Sequence, residues 1–349
     1  MTMSPPIAVL PGNEALIRRV NQLYHDFTRG QFDGEHRHRH RVEGAFWRHV
    51  GARAVALLRA DRAAGRSASA SPALTVLDLA CGTGLVTCTL GAMLKPQDRL
   101  IAADLAAGTL ENLIDKWRQT GAAAAHLPLL SRLNSDAQEL PLASASIDLV
   151  VMNAALHHVP RPAVALAEIN RVLKPGGLFA LGFEPNRTHF ECRTMCRLSR
   201  GMDLLSWYGS WEQNRRRLRQ WLTRANGHGG SKLEAAELPQ QAINARLQEC
   251  GLIHAPLEAS QLLDLVDPHA RGAGQSAGFE PDHLLRDALP GYELLMLRTS
   301  DYLGQSSRRL PLLRAATDGL ARLCMPRHGL LFSWLVRKPA VDVRPQAVE

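Results

Sequence analysis

The sequence predicts an α/β protein built on a doubly wound, mostly parallel β-sheet. From residue 73 to about residue 183, short apolar runs rich in branched side chains alternate with helical patterns, and this alternation is typical of βαβ units. The first run, Thr75–Leu79, leads into two glycines one residue apart and the start of a helix. The second run, Arg99–Asp104, ends in an acid. In an open sheet of this kind the ligand cleft lies at the carboxyl ends of the strands.

Two helices are predicted ahead of the sheet, over residues 13–29 and 43–64, because apolar residues recur there at the spacing of one helix face. Between them His36, His38 and His40 alternate with arginines, but no cysteine or carboxylate framework accompanies them, so no metal site is predicted. Residues 65–72, with their serines and alanines, are predicted as a linker. We therefore expect a helical cap over residues 1–70, a main domain over 71–339 and a tail over 340–349.

The same patterns place the later elements. Strands are predicted at 75–79, 99–104, 129–134, 147–153 and 178–183, with helices from about residue 85 and over 106–120 and 162–173. Beyond residue 186 the pattern loosens, and a helix over 238–250 precedes a predicted sixth strand that starts at residues 251–254. Two apolar runs compete for the last strand, 329–339 and 294–297, and a helical stripe over residues 312–320 lies between them.

The turn after the first strand has the residues of a ligand-binding loop. Gly82 and Gly84 allow the backbone to approach a ligand, and the following helix directs free N–H groups toward it. Asp104 comes about twenty residues later, where a carboxylate would meet ribose hydroxyls. A glycine turn and an acid also fit dinucleotide binding, although Ala80 stands in place of the first glycine of that fingerprint.

Three further segments narrow the interpretation. They are Asn134-Ser135-Asp136-Ala137 ahead of Leu140-Pro141-Leu142, the run Asn153-Ala154-Ala155-Leu156-His157-His158-Val159, and Leu173-Lys174-Pro175-Gly176-Gly177-Leu178. In this order the motifs over residues 74–185 resemble the class I S-adenosylmethionine-dependent methyltransferases, especially the small-molecule branch that contains the quinone-biosynthesis C-methyltransferases. The resemblance implies a Rossmann-like sheet with an antiparallel last strand, and helical insertions at about 186–232 and 260–328 that form a substrate cap.

The resemblance also implies S-adenosylmethionine as the cofactor. Asp78 would hold the ammonium of its amino acid end, Asp104 would accept both ribose hydroxyls, and Asp136 would accept from the adenine amino group. An alternative role for Asp78 and Asp104 is the capping of turns. In the resembled enzymes N-terminal helices cover the cofactor, which makes Tyr24 and Phe32 lid candidates. The implied cofactor contacts are Asp78, Ala80, Gly82, Gly84, Asp104, Leu105, Asp136, Ala137 and Asn153.

Methyl transfer from a sulfonium is an in-line displacement, so positioning and desolvation can supply much of the catalysis. A general base is needed when the acceptor must lose a proton. The candidates are His157, His158 and Glu184, which lie at or just after the carboxyl ends of core strands, and a histidine titrates near neutral pH. The alternatives are a structural role for the two histidines and, for Glu184, fixing the loop that leads into the first insertion.

The net charge of +8 is concentrated in one stretch of the 349-residue chain. Residues 187–224 contain nine arginines and three acids, together with Trp207, Tyr208, Trp211 and Trp221. Such a stretch fits a membrane surface, an anionic substrate or a nucleic acid, and it also fits a solvated helix face packed by its aromatic side. No run of about eighteen apolar residues is present, so no membrane span is predicted. The six cysteines lack paired metal spacing, and we expect a cytoplasmic protein.

Together these patterns predict an S-adenosylmethionine-dependent methyltransferase that acts on a small, apolar or lipid-like acceptor. A peripheral membrane contact and a homodimer are compatible with the sequence, whereas nucleic acid is disfavoured because no RNA-binding module is appended. Three alternatives stay open: an RNA methyltransferase that uses residues 187–224, a non-catalytic binding protein that keeps the cofactor fold, and aminopropyl transfer on the same fold.

Overall fold

The computed structural model describes residues 13–35, 37–66, 71–121, 127–209, 232–269, 277–304 and 311–340. Its seven strands are β1 (Thr75–Leu79), β2 (Arg99–Asp104), β3 (Leu129–Asn134), β4 (Ile147–Asn153), β5 (Leu173–Pro185), β6 (Glu293–Ser300) and β7 (Leu331–Arg337). They form one sheet in the order β3-β2-β1-β4-β5-β7-β6. Neighbours from β3 to β5 are parallel, and β7 runs antiparallel to both β5 and β6. The doubly wound α/β class and the antiparallel last strand are confirmed.

Helices surround the sheet in the alternating order that the sequence predicts for its first half. They are α1 (Glu14–Glu35), α2 (Arg37–Ala63), α3 (Leu85–Gly91), α4 (Ala107–Gly121), α5 (Pro162–Val172), α6 (Arg187–Glu191), α7 (Arg193–Gly209), α8 (Lys232–Glu249), α9 (Ala259–Val266), α10 (Pro281–His283) and α11 (Pro311–Cys324). A short 3₁₀ turn over Leu156–His158 follows β4, and α10 continues as a π-helical turn over Leu284–Ala288.

The sheet is covered on both faces because its inner strands carry apolar residues on both sides. In β1, Val76 and Leu77 are both fully buried, yet as successive residues they point to opposite faces. One face packs against α5 through residues such as Leu166. The other face packs against α2 and α3 through Trp47 and Leu90. Parallel strands buried on both sides are typical of doubly wound folds.

The helix α1 belongs to a smaller cluster beside the main core. Ile17 and Val20 pack with Leu247 of α8 and Leu265 of α9. Asn21 Nδ2 also donates a hydrogen bond to the Leu265 carbonyl at 3.1 Å. These contacts hold α1, α8 and α9 together as a helical layer, and side chains of α1 reach from it into the cavity described below.

Two expectations about the second half of the sheet need correction. Residues 251–254 form a turn after α8 rather than a strand, and Leu252 and Ile253 pack against the α1 cluster. The sixth strand is instead β6, which contains the apolar run 294–297. Both runs that competed for the last strand enter the sheet, since β6 and β7 pair with each other. The interval 260–328, predicted as one insertion, therefore includes a strand of the sheet.

Part of the predicted basic stretch lies outside the described residues. These residues are Trp211, Trp221 and the cluster from Arg215 to Arg219. Elsewhere, His36 lies outside the described residues as well. The side chains of Phe32, His38, His40, Trp207 and Tyr208 are not described either. Within the described ranges, no helix combines the length and the apolar character needed to cross a bilayer. All six cysteines are free thiols.

Candidate functional site

A cavity of about 420 Å³ opens at the carboxyl ends of β1, β2 and β4. Its volume lies within the range of roughly 300–1,000 Å³ that is common for small-molecule sites. The implied cofactor positions that line it are Asp78, Ala80, Gly82, Asp104, Leu105, Asp136, Ala137 and Asn153. The cavity therefore lies where an open α/β sheet binds its ligands.

The glycine turn after β1 forms one wall of this cavity. Ala80 and Gly82 adopt φ angles of 56° and 52°, in the left-handed region that residues with a side chain disfavour. The Cβ position of Gly82 has no atom within 4 Å, so its backbone is open to a ligand. Gly84 does not line the cavity, and a Cβ there would come within 2.2 Å of Leu113 Cδ1 of α4. Gly84 thus has a packing role against α4, and the cofactor contact that the resemblance implies for it stays a prediction.

Asp78 lies beneath the turn and is 1% exposed. Its Oδ2 accepts a hydrogen bond from the Thr87 hydroxyl at 2.5 Å. Its Oδ1 is buried without a hydrogen-bond partner in the described part of the chain. Burial raises the pKa of Asp78 from 3.8 to about 7, and the Asp104 carboxylate adds to the increase. A buried carboxylate oxygen that lacks a donor is suited to a cationic ligand group such as an ammonium.

Asp104 ends β2 and holds the two turns beside it. Its Oδ2 accepts from the Gly82 N–H at 2.7 Å, and its Oδ1 accepts from the Ala106 N–H at 2.9 Å. Burial raises the pKa of Asp104, and these backbone hydrogen bonds work against the increase. Asp104 therefore caps these turns, as the alternative role in the sequence analysis predicts. A carboxylate has about four acceptor positions, so the same group retains capacity for ligand hydroxyls.

The end of β3 is joined to α1. Asp136 Oδ1 accepts from the Gln138 N–H at 2.8 Å, and Asp136 Oδ2 forms an ion pair with Arg18 Nε at 3.1 Å. Arg18, Tyr24 and Ala137 line the cavity as well. α1 therefore covers the cavity next to the position that the resemblance assigns to the adenine, and Tyr24 is placed where the lid candidate was expected.

Asn153 at the end of β4 is oriented by α2. Its Oδ1 accepts from Trp47 Nε1 at 2.7 Å, and its Nδ2 donates to Glu43 Oε2 at 2.9 Å. Glu43 and Asn153 both line the cavity. The sequence carries no signal for these partners, because 106 and 110 residues separate Trp47 and Glu43 from Asn153.

Glu184 fixes the loop after β4 and one of its histidines. Its side chain is fully buried and accepts from the backbone N–H groups of Ala155, Leu156 and His157 at 2.8, 2.9 and 3.1 Å. Glu184 Oε2 also lies 2.9 Å from His157 Nδ1. Burial opposes the charge on Glu184, but the interaction with His157 and the backbone donors outweighs it and lowers its pKa. The carboxylate is therefore ionised near neutral pH. Glu184 also fixes the loop after β4 through its three backbone hydrogen bonds.

The carboxylate of Glu184 determines the tautomer of His157. An ionised acceptor at Nδ1 requires the proton there, which leaves a lone pair on Nε2 of the neutral ring. Burial lowers the pKa of His157, and the neighbouring His158 adds to the decrease. His157 lines the cavity, whereas Glu184 lies behind it. This pair has the geometry of a general base held by a carboxylate.

His158 is tied to the end of α9 instead. Its Nδ1 lies 2.6 Å from the Val266 carbonyl and 3.0 Å from Asp267 Oδ1. Burial opposes the charge on His158, but the hydrogen bond to Asp267 and its charge raise the pKa above the usual value. The donor atoms of His157, His158 and Asp267 lie within 4.8 Å of one another. Because Nδ1 of His158 donates to a carbonyl, only Nε2 of this ring could offer a lone pair to a metal, and only while the ring is neutral.

The remaining wall of the cavity is largely apolar. It is formed by Pro185 at the end of β5, Leu263 and Val266 of α9, and Leu331 at the start of β7. His25 of α1 also lines it and contacts the ring of His158 edge-on, with 5.4 Å between ring centroids. Leu263 and Val266 belong to the segment 260–328 that was expected to form the substrate cap, but the sequence has no motif that singles out these residues.

Comparison with known proteins identifies the middle of the chain. Residues 77–181 match a family model described as a methyltransferase domain. A demethylmenaquinone methyltransferase of Staphylococcus aureus is 36% identical over 102 residues, which are 29% of this chain and 39% of that protein. An uncharacterized 37.1 kDa protein in a transposon of Streptomyces fradiae is 37% identical over 117 residues, or 34% of this chain and 32% of that protein. The chain thus spans about a third of the length of these curated relatives.

Solved structures give more distant likenesses. An S-adenosylmethionine-dependent methyltransferase from Mesorhizobium loti aligns over 76% of this chain and 91% of that chain, at 14% identity and a TM-score of 0.40. An arsenic(III) S-adenosylmethionine methyltransferase from Chlamydomonas reinhardtii aligns over 31% and 38%, at 24% identity and a TM-score of 0.30. At these low TM-scores neither likeness bears on the activity of this chain. Over residues 77–181, the match to a methyltransferase-domain model and the order of the sheet agree with the resemblance to the class I S-adenosylmethionine-dependent methyltransferases that the sequence motifs indicate.

Proposed function

We propose that this chain transfers a methyl group from S-adenosylmethionine to a small, apolar or lipid-like acceptor that loses a proton as it is methylated. One observation carries the proposal: eight of the nine implied cofactor positions line the same cavity as His157, whose ring is held by the Glu184 carboxylate. The similarity to a protein named demethylmenaquinone methyltransferase supports an apolar acceptor of quinone type.

The residues of the cavity fit the parts of this cofactor. The unpartnered Oδ1 of Asp78 suits the ammonium, and the open backbone of Gly82 allows close approach of the amino acid end. Asp104 has acceptor capacity for the ribose hydroxyls, and the resemblance places the adenine beside Asp136 and Ala137. When bound, the cofactor supplies a methyl group bonded to a positively charged sulfur. The neutral thioether that remains after transfer is a good leaving group for an in-line displacement.

His157 would remove the proton of the acceptor. Glu184 holds the Nδ1 proton, so the lone pair lies on Nε2, which is 3.8 Å from Asp267 Oδ1 and can accept a proton from an acidic O–H or C–H group. As the ring becomes charged, the buried Glu184 carboxylate stabilises it without itself being protonated. Glu184 is therefore a positioning residue, and His157 is the candidate base.

The apolar wall suits the remainder of the acceptor. Leu263, Val266 and Leu331 offer hydrocarbon surface, which binds a ligand by removing its apolar area from water. The lid from α1 and α9 would exclude water from the reacting atoms. Exclusion of water strengthens the electrostatic interactions within the site and prevents hydrolysis and proton leakage.

The first test combines the purified protein with methyl-labelled S-adenosylmethionine and an extract of its source cells. The label is then separated into an organic fraction, a small aqueous fraction and acid-precipitable polymer. We expect label in the organic or small-molecule fraction. Ribonuclease-sensitive label in the precipitate would instead favour the RNA methyltransferase alternative. Absence of transfer together with absence of cofactor binding in calorimetry would contradict the proposal.

Replacement of the candidate base gives a second test. His157→Asn keeps a donor toward Glu184 but removes the base, so we expect the methylation rate to fall by about 10²–10⁴-fold while cofactor affinity stays unchanged. The wild-type rate should rise with pH through the lowered pKa of His157, because the neutral ring is the active form. His158→Asn is the matched control and should keep a rise of the rate with pH, moved to higher pH because the neighbour that helps to lower the pKa of His157 is gone. An unaltered profile in His157→Asn would rule out the base.

A further inference from the structure

The helix α11 exposes leucines on one side and buries an aspartate on the other. Leu312, Leu320 and Leu323 are 87%, 66% and 83% exposed, although they lie on one side of the helix together with Ala316. Asp318, on the other side, is only 2% exposed. A helix at the surface of a globular protein normally shows the reverse pattern. A group of exposed leucines of this kind marks a contact surface.

The inward position of Asp318 explains why the helix keeps this orientation. Its Oδ1 accepts from the Tyr302 N–H at 3.2 Å, and Arg322 lies 3.9 Å from its Oδ2. Tyr302 is fully buried, and its hydroxyl lies 2.6 Å from Thr299 Oγ1 at the end of β6. Turning the leucines inward would move Asp318 away from the Tyr302 N–H, although Arg322 lies on the same helix and would move with it. The outward leucines are therefore fixed by the fold.

The helix α7 meets α11 at the same tyrosine. Ser199 Oγ donates to the Tyr302 carbonyl at 3.4 Å, so α7 and α11 both border this residue. On α7 the side chains of Arg193, Arg197 and Arg200 are exposed, and so is Leu198. Exposed cations thus lie on the helix next to an exposed apolar stripe.

We propose that α11 and the first half of α7 form a docking surface for a lipid bilayer with anionic headgroups. The leucines of α11 would enter the boundary between headgroups and acyl chains, and the arginines of α7 would meet the anionic headgroups. The combination of leucines and arginines selects a membrane over a neutral apolar partner, because the charge is complementary to an anionic surface. This proposal is independent of methyl transfer, since the surface contains no residue of the cavity.

Vesicle sedimentation with the full chain, without cofactor, tests this surface. The probes are vesicles of phosphatidylcholine alone and of phosphatidylcholine with phosphatidylglycerol. We expect the protein to pellet with the anionic vesicles. The triple variant Leu312→Ser, Leu320→Ser and Leu323→Ser should lose at least about tenfold in partitioning, because its apolar contact area is removed. Leu129→Ser, at a leucine 66% exposed on β3, is the matched control and should bind as the wild type does.

Two further readouts separate the alternatives. Replacing Arg193, Arg197 and Arg200 by Gln should remove the preference for anionic vesicles, whereas retained preference would remove α7 from the surface. Circular dichroism and cofactor binding of the leucine variant show whether its fold is intact. Failure of the wild-type protein to bind either vesicle, or unchanged binding of a folded leucine variant, would overturn the proposal. Concentration-dependent dimerisation that the leucine variant abolishes would assign the surface to a second copy instead.

Discussion

At the scale of single residues, the ionisation of Asp78 links stability to ligand binding. Burial holds its pKa near 7, so the folded chain binds this proton more tightly than the unfolded chain, where the pKa is 3.8. Ionisation of Asp78 therefore destabilises the fold as pH rises from about 4 to 7. An ammonium beside Oδ1 would remove this penalty by favouring the ionised form.

The variant Asp78→Asn should separate these two effects. Without ligand we expect it to be more stable than the wild type at pH 8, by on the order of 2–4 kcal/mol, and no more stable at pH 4. The affinity of the variant for S-adenosylmethionine should be lower than that of the wild type. In the wild type the affinity should fall below pH 7, where Asp78 becomes protonated, and in the variant this fall should be absent. Urea denaturation at both pH values and calorimetry measure the two quantities. Equal stability at pH 8 would contradict the burial argument.

The residues around Asp78 also show what sequence patterns can and cannot predict about a site. Asp78, Asp104 and Asn153 lie at or next to the carboxyl ends of predicted strands, so their convergence on one cavity follows from strand order. Glu43, Trp47 and Asp267 carry no such signal, because they reach the site through helices that are distant in sequence. The sequence does not decide between a catalytic and a structural role for His157, because its tautomer depends on a contact with Glu184, which lies 27 residues away.

At the scale of elements, Gly82 and Gly84 distinguish a ligand contact from a packing contact. Gly84→Ala would add a Cβ at a φ of 88° and at 2.2 Å from Leu113 Cδ1. We expect it to lower the free energy of unfolding by more than about 2 kcal/mol, from backbone strain and overpacking combined. Urea denaturation of the ligand-free protein measures the loss.

Gly82→Ala is the matched comparison. It has a φ of 52° but open space at Cβ, so only the backbone penalty of about 1–2 kcal/mol applies. Its larger effect should be on cofactor affinity, because the added methyl group would occupy the cavity side of the turn. If Gly84→Ala proves to be the milder of the two in stability, the packing role of Gly84 is wrong.

The strands show why the sequence predicts strand positions correctly in the first half of the sheet, β1 to β4, and less well in the second half. The first four strands have their predicted bounds. β1, β2 and β4 are short and largely apolar runs set off by turns or polar segments, whereas β3 contains Ser131 and Arg132 and is mostly exposed. Residues 251–254 have a similar apolar composition but end in a turn, since Leu252 and Ile253 are used by the α1 cluster. The exposed strand β6 forms because β7 pairs with it. That choice depends on a partner far along the chain, which a local pattern does not contain.

At the scale of the whole molecule, α1 and α9 act as a cover over the cavity. The cover is held by the Arg18–Asp136 ion pair and by hydrogen bonds such as that from Asn21 to the Leu265 carbonyl. We expect S-adenosylmethionine to slow amide hydrogen exchange in α1 and α9, because a ligand beneath them adds contacts that must break before they open. The exchange of α11 should not change.

Hydrogen exchange followed by mass spectrometry measures this difference. The variant Asp104→Asn, which we expect to bind the cofactor more weakly, provides the control and should show less protection at the same cofactor concentration. Protection confined to the β1 turn, with none in α1 or α9, would show that these helices do not close over the cofactor.

The order of strands in the sheet has a consequence for how the chain assembles. β7 lies between β5 and β6, although it follows both in sequence. Until residues 331–337 are in place, β5 and β6 each keep an open edge, and open edges are sites of intermolecular pairing. Closing the sheet is thus a late, non-local and slow step during synthesis. Since Leu331 is also part of the cavity wall, a nascent chain cannot complete its ligand pocket before it has passed through this aggregation-prone stage.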